Sequence, residues 1–256
     1  MPTDRSEILP VDIFYADPFT TIVNADCASV LEGLASDSID IVVTSPPYNM
    51  GLTPGGNGRG LYKHSTSKGK RFSDGYDASG DDMAPDEYDD LHRHLLAEMY
   101  RIARMAVFWN HRPRVVHGVL QDPLGGDFGI PLRQRIVLDR GTGIDVNLRQ
   151  FCTRGEYLYL FAKPAFSLVD HAASGMGDVW RVGIETGVDH PAPFPLIVPA
   201  RCIAATGARS VLDPFMGSGT TLRAAKDAGV YALGIELSER YCDLAVRRLA
   251  QEALAL

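Results

Sequence analysis

Apolar positions along the chain switch between a period of two and a period near 3.6, and the switches mark out an α/β fold. Ile39-Asp40-Ile41-Val42-Val43 is a β-branched run that stops at a breaker, the pattern of a buried strand. Thr21-Ile22-Val23-Asn24 reads the same way, and Ser29–Ala35 puts Val30, Leu31 and Leu34 on one face of a connecting helix. Pro85, with Asp86 and Glu87 at the positive helix end, opens a longer helix whose Tyr88, Leu91, Leu95, Met99 and Ile102 recur at helical spacing. Met105–Trp109 predicts a strand, Val115–Leu120 a helix, and Arg135–Leu138 with Glu156–Ala162 a hairpin. The chain then reads as irregular from Lys163 to Gly187. Ile197–Ala205 predicts a helix that Pro199 either kinks or starts late. Ser210–Asp213, Thr220–Ala228 (stopped by Gly229) and Tyr231–Ile235 give strand, helix and strand. A last helix, capped by Ser238, carries Tyr241, Leu244, Ala245, Arg248 and Leu249 on one face. The sum is a mainly parallel sheet of these seven strands between helices, within one domain of 256 residues.

Two turns in this frame carry candidate chemistry. The first is Ser45-Pro46-Pro47-Tyr48, directly after the Ile39–Val43 strand. Two prolines remove two N–H donors and stop the sheet ladder, so the turn presents a hydroxyl, carbonyls and an aromatic face at the strand's carboxyl end. Ligands of open α/β sheets bind at that edge. Such a set suits a planar ring bearing an amine, although a rigid loop with a packed tyrosine would read the same. The second turn is Asp213-Pro214-Phe215-Met216-Gly217-Ser218-Gly219-Thr220, which joins a strand to a helix whose N-terminus can hold a carboxylate or phosphate. Glu236 follows 23 residues after Asp213, near the roughly 20-residue spacing at which dinucleotide folds place a ribose-binding acid. Asp26, after the first strand, is either a helix N-cap or an acceptor for a ligand amine.

Charge sharpens the picture. Net charge is −7, so a nucleic-acid partner needs a local basic surface. Gly51–Gly75 holds seven glycines and the bases Arg59, Lys63, Lys68, Lys70 and Arg71, with no acid between Ile41 and Ser73. A run of acids from Asp74 to Asp90 follows. Attached to the Ser-Pro-Pro-Tyr turn, the basic half reads as a phosphate-tracking loop rather than a merely solvated one. Arg133, Arg135, Arg140, Arg149 and Arg154 suggest a second basic face on the hairpin. The four cysteines are scattered without a CxxC pair, which points to reduced thiols in a cytoplasmic protein and away from a metal site. His190-Pro191-Ala192-Pro193-Phe194-Pro195 predicts an extended segment with an exposed aromatic.

Ser-Pro-Pro-Tyr, His-Pro-Ala-Pro-Phe-Pro and Asp-Pro-Phe-Met-Gly-Ser-Gly-Thr-Thr, in that order, resemble the β-class amino-methyltransferases of DNA, over nearly the whole chain from Asn24 to the last helix. The resemblance implies a Rossmann-like class I methyltransferase sheet, circularly permuted and carrying a Gly-rich basic insertion. Its catalytic half would span about residues 20–163, the insertion 51–84 and the cofactor half about 188–256. It implies S-adenosylmethionine as cofactor and DNA as partner, with a homodimer a further candidate. Ser45, Pro46, Pro47 and Tyr48 would form the target-base site. Asp213, Pro214, Phe215, Gly217, Gly219 and Thr220 would line the methionine side of the cofactor pocket. Glu236 would hold the ribose, Asp26 and Cys27 the adenine end, and His190 and Phe194 the closing segment. Pro199 departs from the helix that usually follows His-Pro. Nothing of size remains for a separate target-recognition domain, so specificity would come from Gly51–Gly75, Gly141–Arg154, Pro164–Gly177 or a second subunit.

In this family a serine at the head of the turn goes with cytosine N4, an aspartate with adenine N6, and adenine N6 stays the alternative. Methylation at cytosine carbon 5 would need a cysteine nucleophile after a proline, which none of the four is. A relative acting on RNA or a protein amide would carry its cofactor motif first, and a non-catalytic DNA-binding subunit would have lost motif residues.

Overall fold

Asp26 and the residues that follow show how the sequence sets up the first crossover: the carboxylate accepts from Ala28 N at 2.9 Å and caps a helix over Cys27–Gly33. The computed structural model describes residues 12–49, 83–116, 118–141, 148, 151–183 and 194–250. In chain order these form β1 (Ile13–Ala16), β2 (Thr20–Asn24), α1 (Cys27–Gly33), β3 (Ile39–Thr44), α2 (Pro85–Ile102) and β4 (Ala103–His111). Next come β5 (Arg114–Val116), β6 (Val119–Gln121), β7 (Leu132–Asp139), β8 (Gly155–Ala162), α3 (His171–Gly175) and β9 (Val179–Arg181). The chain ends on α4 (Ile197–Thr206), β10 (Ser210–Asp213), α5 (Thr220–Asp227), β11 (Tyr231–Glu236) and α6 (Glu239–Ala250).

Nine strands make the main sheet, in the order β1-β2-β11-β10-β3-β4-β8-β7-β9. The inner run from β2 to β4 is parallel, β8 is antiparallel to β4, and β7 pairs antiparallel with β8. The seven strands expected from the sequence are the inner seven. The two additions, β1 and β9, are short edge strands.

Residues alternate between two core layers, as the strand period requires. Ile41, Val43, Ala106, Phe108 and Val211 pack against α4, α5 and α6 through Val198, Cys202, Leu222, Cys242 and Ala245. Val42, Val107, Leu212 and Leu233 face the other way, onto Val30 and Leu31 of α1 and Tyr88, Leu95 and Met99 of α2. Because β2, β11, β10, β3 and β4 run in one direction, their carboxyl ends share one sheet edge. There Glu236 lies opposite Asn24 and Thr44 opposite Trp109.

Three local readings differ from the sequence pattern. Val115–Leu120 is not a helix but the ribbon of β5 and β6, with Val116 paired to Val119 and Gly118 in the turn at φ 81°. Only glycine takes that conformation cheaply. The stretch after Lys163 is not wholly irregular: it holds α3, capped by Asp170, and β9, whose buried Trp180 donates to Gly177 O at 3.0 Å. Pro199 neither kinks nor delays α4. It sits in the first turn, where a helix has no use for that N–H.

Candidate active site

β3 delivers Ser45-Pro46-Pro47-Tyr48 to the carboxyl edge, and α2 clamps the turn from one side. Tyr88, fully buried, donates to the Pro47 carbonyl at 2.8 Å and lies 2.6 Å from His111 Nε2 at the end of β4. With the Tyr88 proton committed to Pro47, His111 donates from Nε2, while its Nδ1 accepts from Arg112 N at 2.8 Å. Tyr48 packs on that imidazole with ring centroids 4.6 Å apart. Asn49, at φ 54°, closes the stretch by bonding both backbone groups of Met83, at 2.9 and 2.8 Å.

Behind the turn lies a polar cluster. Ser45 Oγ and Tyr48 OH are 3.1 Å apart, and both donate to Oδ1 of Asn110, at 3.1 and 2.5 Å. Asn110 Nδ2 donates to Tyr157 O at 3.0 Å. Glu156 Oε2 lies 3.4 Å from Tyr48 OH and accepts from Arg140 Nη2 at 2.7 Å. Burial works against the Arg140 charge, but the Glu156 carboxylate outweighs it and holds the guanidinium pKa above its ordinary value. Arg140 therefore stays charged.

The second turn is tied to the first through Asp213. Its Oδ1 accepts from Thr44 Oγ1 at 2.7 Å and from Phe215 N at 3.1 Å. Burial nonetheless pushes this carboxyl from 3.8 up to about 6, the bonds from its neighbours offsetting only part of the desolvation. Glu236 spends one oxygen on Gly217 N and the other on Ser238 N, each at 2.9 Å, and so holds the Gly-rich turn against the end of β11. Gly219, at φ 78°, has a second reason to be glycine: a Cβ there would stand 2.8 Å from Ala245 Cβ of α6. It heads α5 without a side-chain cap. Thr220 turns its hydroxyl toward α6 and accepts from Arg248 Nη1 at 2.8 Å. Phe215 lies parallel to the buried His92 ring, which burial keeps neutral by lowering its pKa to about 4.

A family model described as DNA methylase, of the N6/N4 type, matches residues 39–247, a span that contains both turns. The chain belongs to this family. Among related proteins, the methylase is 26% identical over 296 residues to the type II methyltransferase M.BglII of Bacillus subtilis, covering 97% of this chain and 75% of that one. Its fold is shared with the cytosine-N4-specific PvuII DNA methyltransferase, at TM-score 0.72 and 15% identity over 96% of this chain and 92% of that one. It is shared too with a DNA modification methylase of Thermus thermophilus solved with S-adenosylmethionine, at TM-score 0.63 and 23% identity over 90% and 92%.

The structure thus brings Ser45, Pro46, Pro47, Tyr48, Asp26, Cys27, Asp213, Pro214, Phe215, Gly217, Gly219, Thr220 and Glu236 of the methylase to one edge. Burial, with Asp26 adjoining, lifts the Cys27 thiol to about 12, so it offers contact surface and no charge. Phe194 packs against the core layer beside α4. His190 and the bases Arg59, Lys63, Lys68, Lys70 and Arg71 lie outside the described residues. The basic face read on the hairpin is largely neutralised: Arg135 pairs with Asp122, Arg140 with Glu156 and Arg154 with Asp139. No helix among the described residues is long and apolar enough to cross a membrane. Sequence reasoning missed Tyr88, His92, Asn110, His111, Arg140 and Glu156. One signal was present, since Asn110-His111 are polar residues that follow directly on the apolar run Met105–Trp109 of the same strand.

Proposed function

We propose that this methylase moves the methyl group of S-adenosylmethionine onto the exocyclic amine of a DNA base turned out of the duplex, with cytosine N4 as the target. The observation that carries the choice of amine chemistry is Ser45 Oγ, held at the sheet edge beside Tyr48 and one residue from the Thr44–Asp213 bond. The choice of cytosine rests on serine at the head of the turn and is supported by the fold shared with the cytosine-N4-specific PvuII enzyme. Adenine N6 is the second reading, left open by a family model that spans both bases.

The donor set fits the cofactor. A carboxylate oxygen accepts more than one hydrogen bond, so each Glu236 oxygen can take a ribose hydroxyl beside the backbone N–H it already holds. Asp26 caps α1 through Oδ1, leaving Oδ2 for the adenine amine. The positive-φ turn at Gly217 and Gly219 lets the ligand approach without meeting a side chain. When bound, the cofactor supplies an electrophilic sulfonium methyl group, whose bonding pair stays on sulfur as the amine lone pair forms the new N–C bond. Base turn first and cofactor turn last is the permuted order that the motifs imply.

The protein's task is alignment. An exocyclic amine is a weak nucleophile because its lone pair is delocalised into the ring. Ser45 Oγ and the Pro46 carbonyl accept from its two N–H groups, pyramidalise the nitrogen and aim its lone pair. Tyr48 stacks on the ring, and the proton that the methylated nitrogen no longer holds passes to water. Duplex DNA hides this nitrogen, hence the need to turn the base out.

The test is to methylate mixed DNA, digest it to nucleosides and identify the product by mass. N4-methylcytosine is expected. N6-methyladenine alone would overturn the base and leave the enzyme class standing. Tyr48→Ala should abolish most turnover, and Ser45→Ala should lower it with cofactor binding intact.

A further inference from the structure

We infer that Asn110 is a positioning residue that fixes the polarity of Ser45, making its hydroxyl an obligate acceptor and so selecting bases that bear an amine over bases that bear a carbonyl at the same place. This rests on the reading of Ser45 as the amine's partner and goes beyond it by naming what sets the direction of that hydrogen bond.

The polarity follows from a count of hydrogens. Asn110 is fully buried at the carboxyl end of β4. Its amide can be oriented only one way, since Nδ2 donates to the Tyr157 carbonyl at 3.0 Å and a flip would set oxygen against oxygen. Oδ1 therefore faces the two hydroxyls. Tyr48 OH stands 2.5 Å from Oδ1, a separation two oxygens hold only with a proton between them, so the tyrosine proton is committed there. Ser45 Oγ has one proton and two inward neighbours, Asn110 Oδ1 and Tyr48 OH, each at 3.1 Å. Whichever it serves, the proton points inward and the lone pairs face outward. Glu156 Oε2, which accepts from Arg140 at 2.7 Å, lies 3.4 Å from Tyr48 OH and is a further acceptor behind the pair. The groups that Ser45 and Tyr48 meet there, Asn110 Oδ1 and Glu156 Oε2, are thus acceptors, and the Tyr48 hydroxyl is already spent. An amine N–H meets a ready acceptor, whereas a carbonyl oxygen of uracil, thymine or hypoxanthine meets only lone pairs. Rejection of this kind, through a mismatched polar group, is strong because the buried partner goes unsatisfied.

The test uses the full-length protein saturated with S-adenosylhomocysteine. Duplexes carry either the base found to be methylated or its counterpart with a carbonyl in place of the amine. Each stands opposite an abasic site, so that base pairing contributes equally to both. The wild type should bind the amine duplex at least about tenfold more tightly. Asn110→Ala frees the serine proton to turn outward and should bring the ratio to about one, with cofactor affinity unchanged. Asn110→Asp keeps an acceptor toward the two hydroxyls, its carboxyl proton replacing Nδ2–H on the Tyr157 carbonyl, and should hold the wild-type ratio. Asn110→Leu, which matches the side chain in size and offers no acceptor, should bring the ratio to about one and carries the test if the alanine variant does not fold. A wild-type ratio near one, or an alanine variant that keeps the full ratio with only a lower Tm, would overturn the inference. Failure to methylate any DNA would instead remove the function on which it rests.

Discussion

Replacing Asp213 by asparagine isolates the most perturbed acid of the site. The folded protein holds the Asp213 proton up to about 6 against 3.8 for an ordinary aspartate. Between those values the folded state binds more protons than the unfolded state, so this group's contribution to stability falls as pH rises and is level above the window. A shift of about two units at about 1.36 kcal/mol each amounts to about 3 kcal/mol. Asparagine keeps an oxygen for Thr44 and Phe215 but does not titrate, and any cost of its unpaired amide is the same at every pH. The stability of Asp213→Asn minus that of the wild type should therefore grow by about 3 kcal/mol between about pH 3.5 and pH 7. Urea titrations at a series of pH values give both curves. A difference that stays flat across that range would show that the carboxyl is not desolvated as its burial implies.

Two further outcomes concern the ligands. Glu236→Ala should weaken cofactor binding in calorimetry by about 1–3 kcal/mol, because ribose hydroxyls lose a charged acceptor and Gly217 loses its tether; unchanged affinity would reduce the acid to a cap for the following helix. Replacing Lys63, Lys68, Lys70 and Arg71 together by alanine should weaken binding to every DNA sequence and flatten its salt dependence, measured by fluorescence anisotropy. Wild-type affinity across salt would mean that the basic stretch is only solvated.

What could be read from the sequence was whatever repeats locally. β3, β10 and β11 are short apolar runs ending in distinctive turns, and α2 shows its buried face at helical spacing. The ribbon of β5 and β6 was missed because Val115, Val116, Val119 and Leu120 fit either period over so few residues. Gly118 between two valine pairs was the discriminating mark. β9 was illegible because a three-residue edge strand carries too little pattern to stand out. The cluster behind Ser45 was hidden for another reason. Asn110, Arg140, Glu156 and Tyr88 come from the ends of four separate elements, and only the order β3-β4-β8-β7 brings the first three to one place. Arg140 and Arg154 looked like a surface for phosphate because sequence shows charge but not the partner across a hairpin.

The two turns that the proposed transfer needs side by side lie about 170 residues apart in the chain, yet their relative position is set by one pair of strands. β3 and β10 are parallel neighbours, buried on both faces, with Leu212 opposite Val42. Their register is pinned at both ends. At the amino end Asp40 N donates to Ser210 Oγ and Arg209 N to Asp40 Oδ2, both at 2.8 Å. At the carboxyl end Thr44 donates to Asp213. A slip of one residue would break all three bonds and exchange the two core layers along β3, since the side-chain period is two. Ser45 and Phe215 each lie within two residues of that final bond, so the offset between base turn and cofactor turn inherits the rigidity of the sheet rather than that of a loop. Transfer to a weak nucleophile is largely a matter of holding two groups in line, and placement on strand ends supplies that. This also accounts for the raised pKa of Asp213: tying the turns together required a carboxylate inside the core, and the cost of desolvating it is the cost of the alignment.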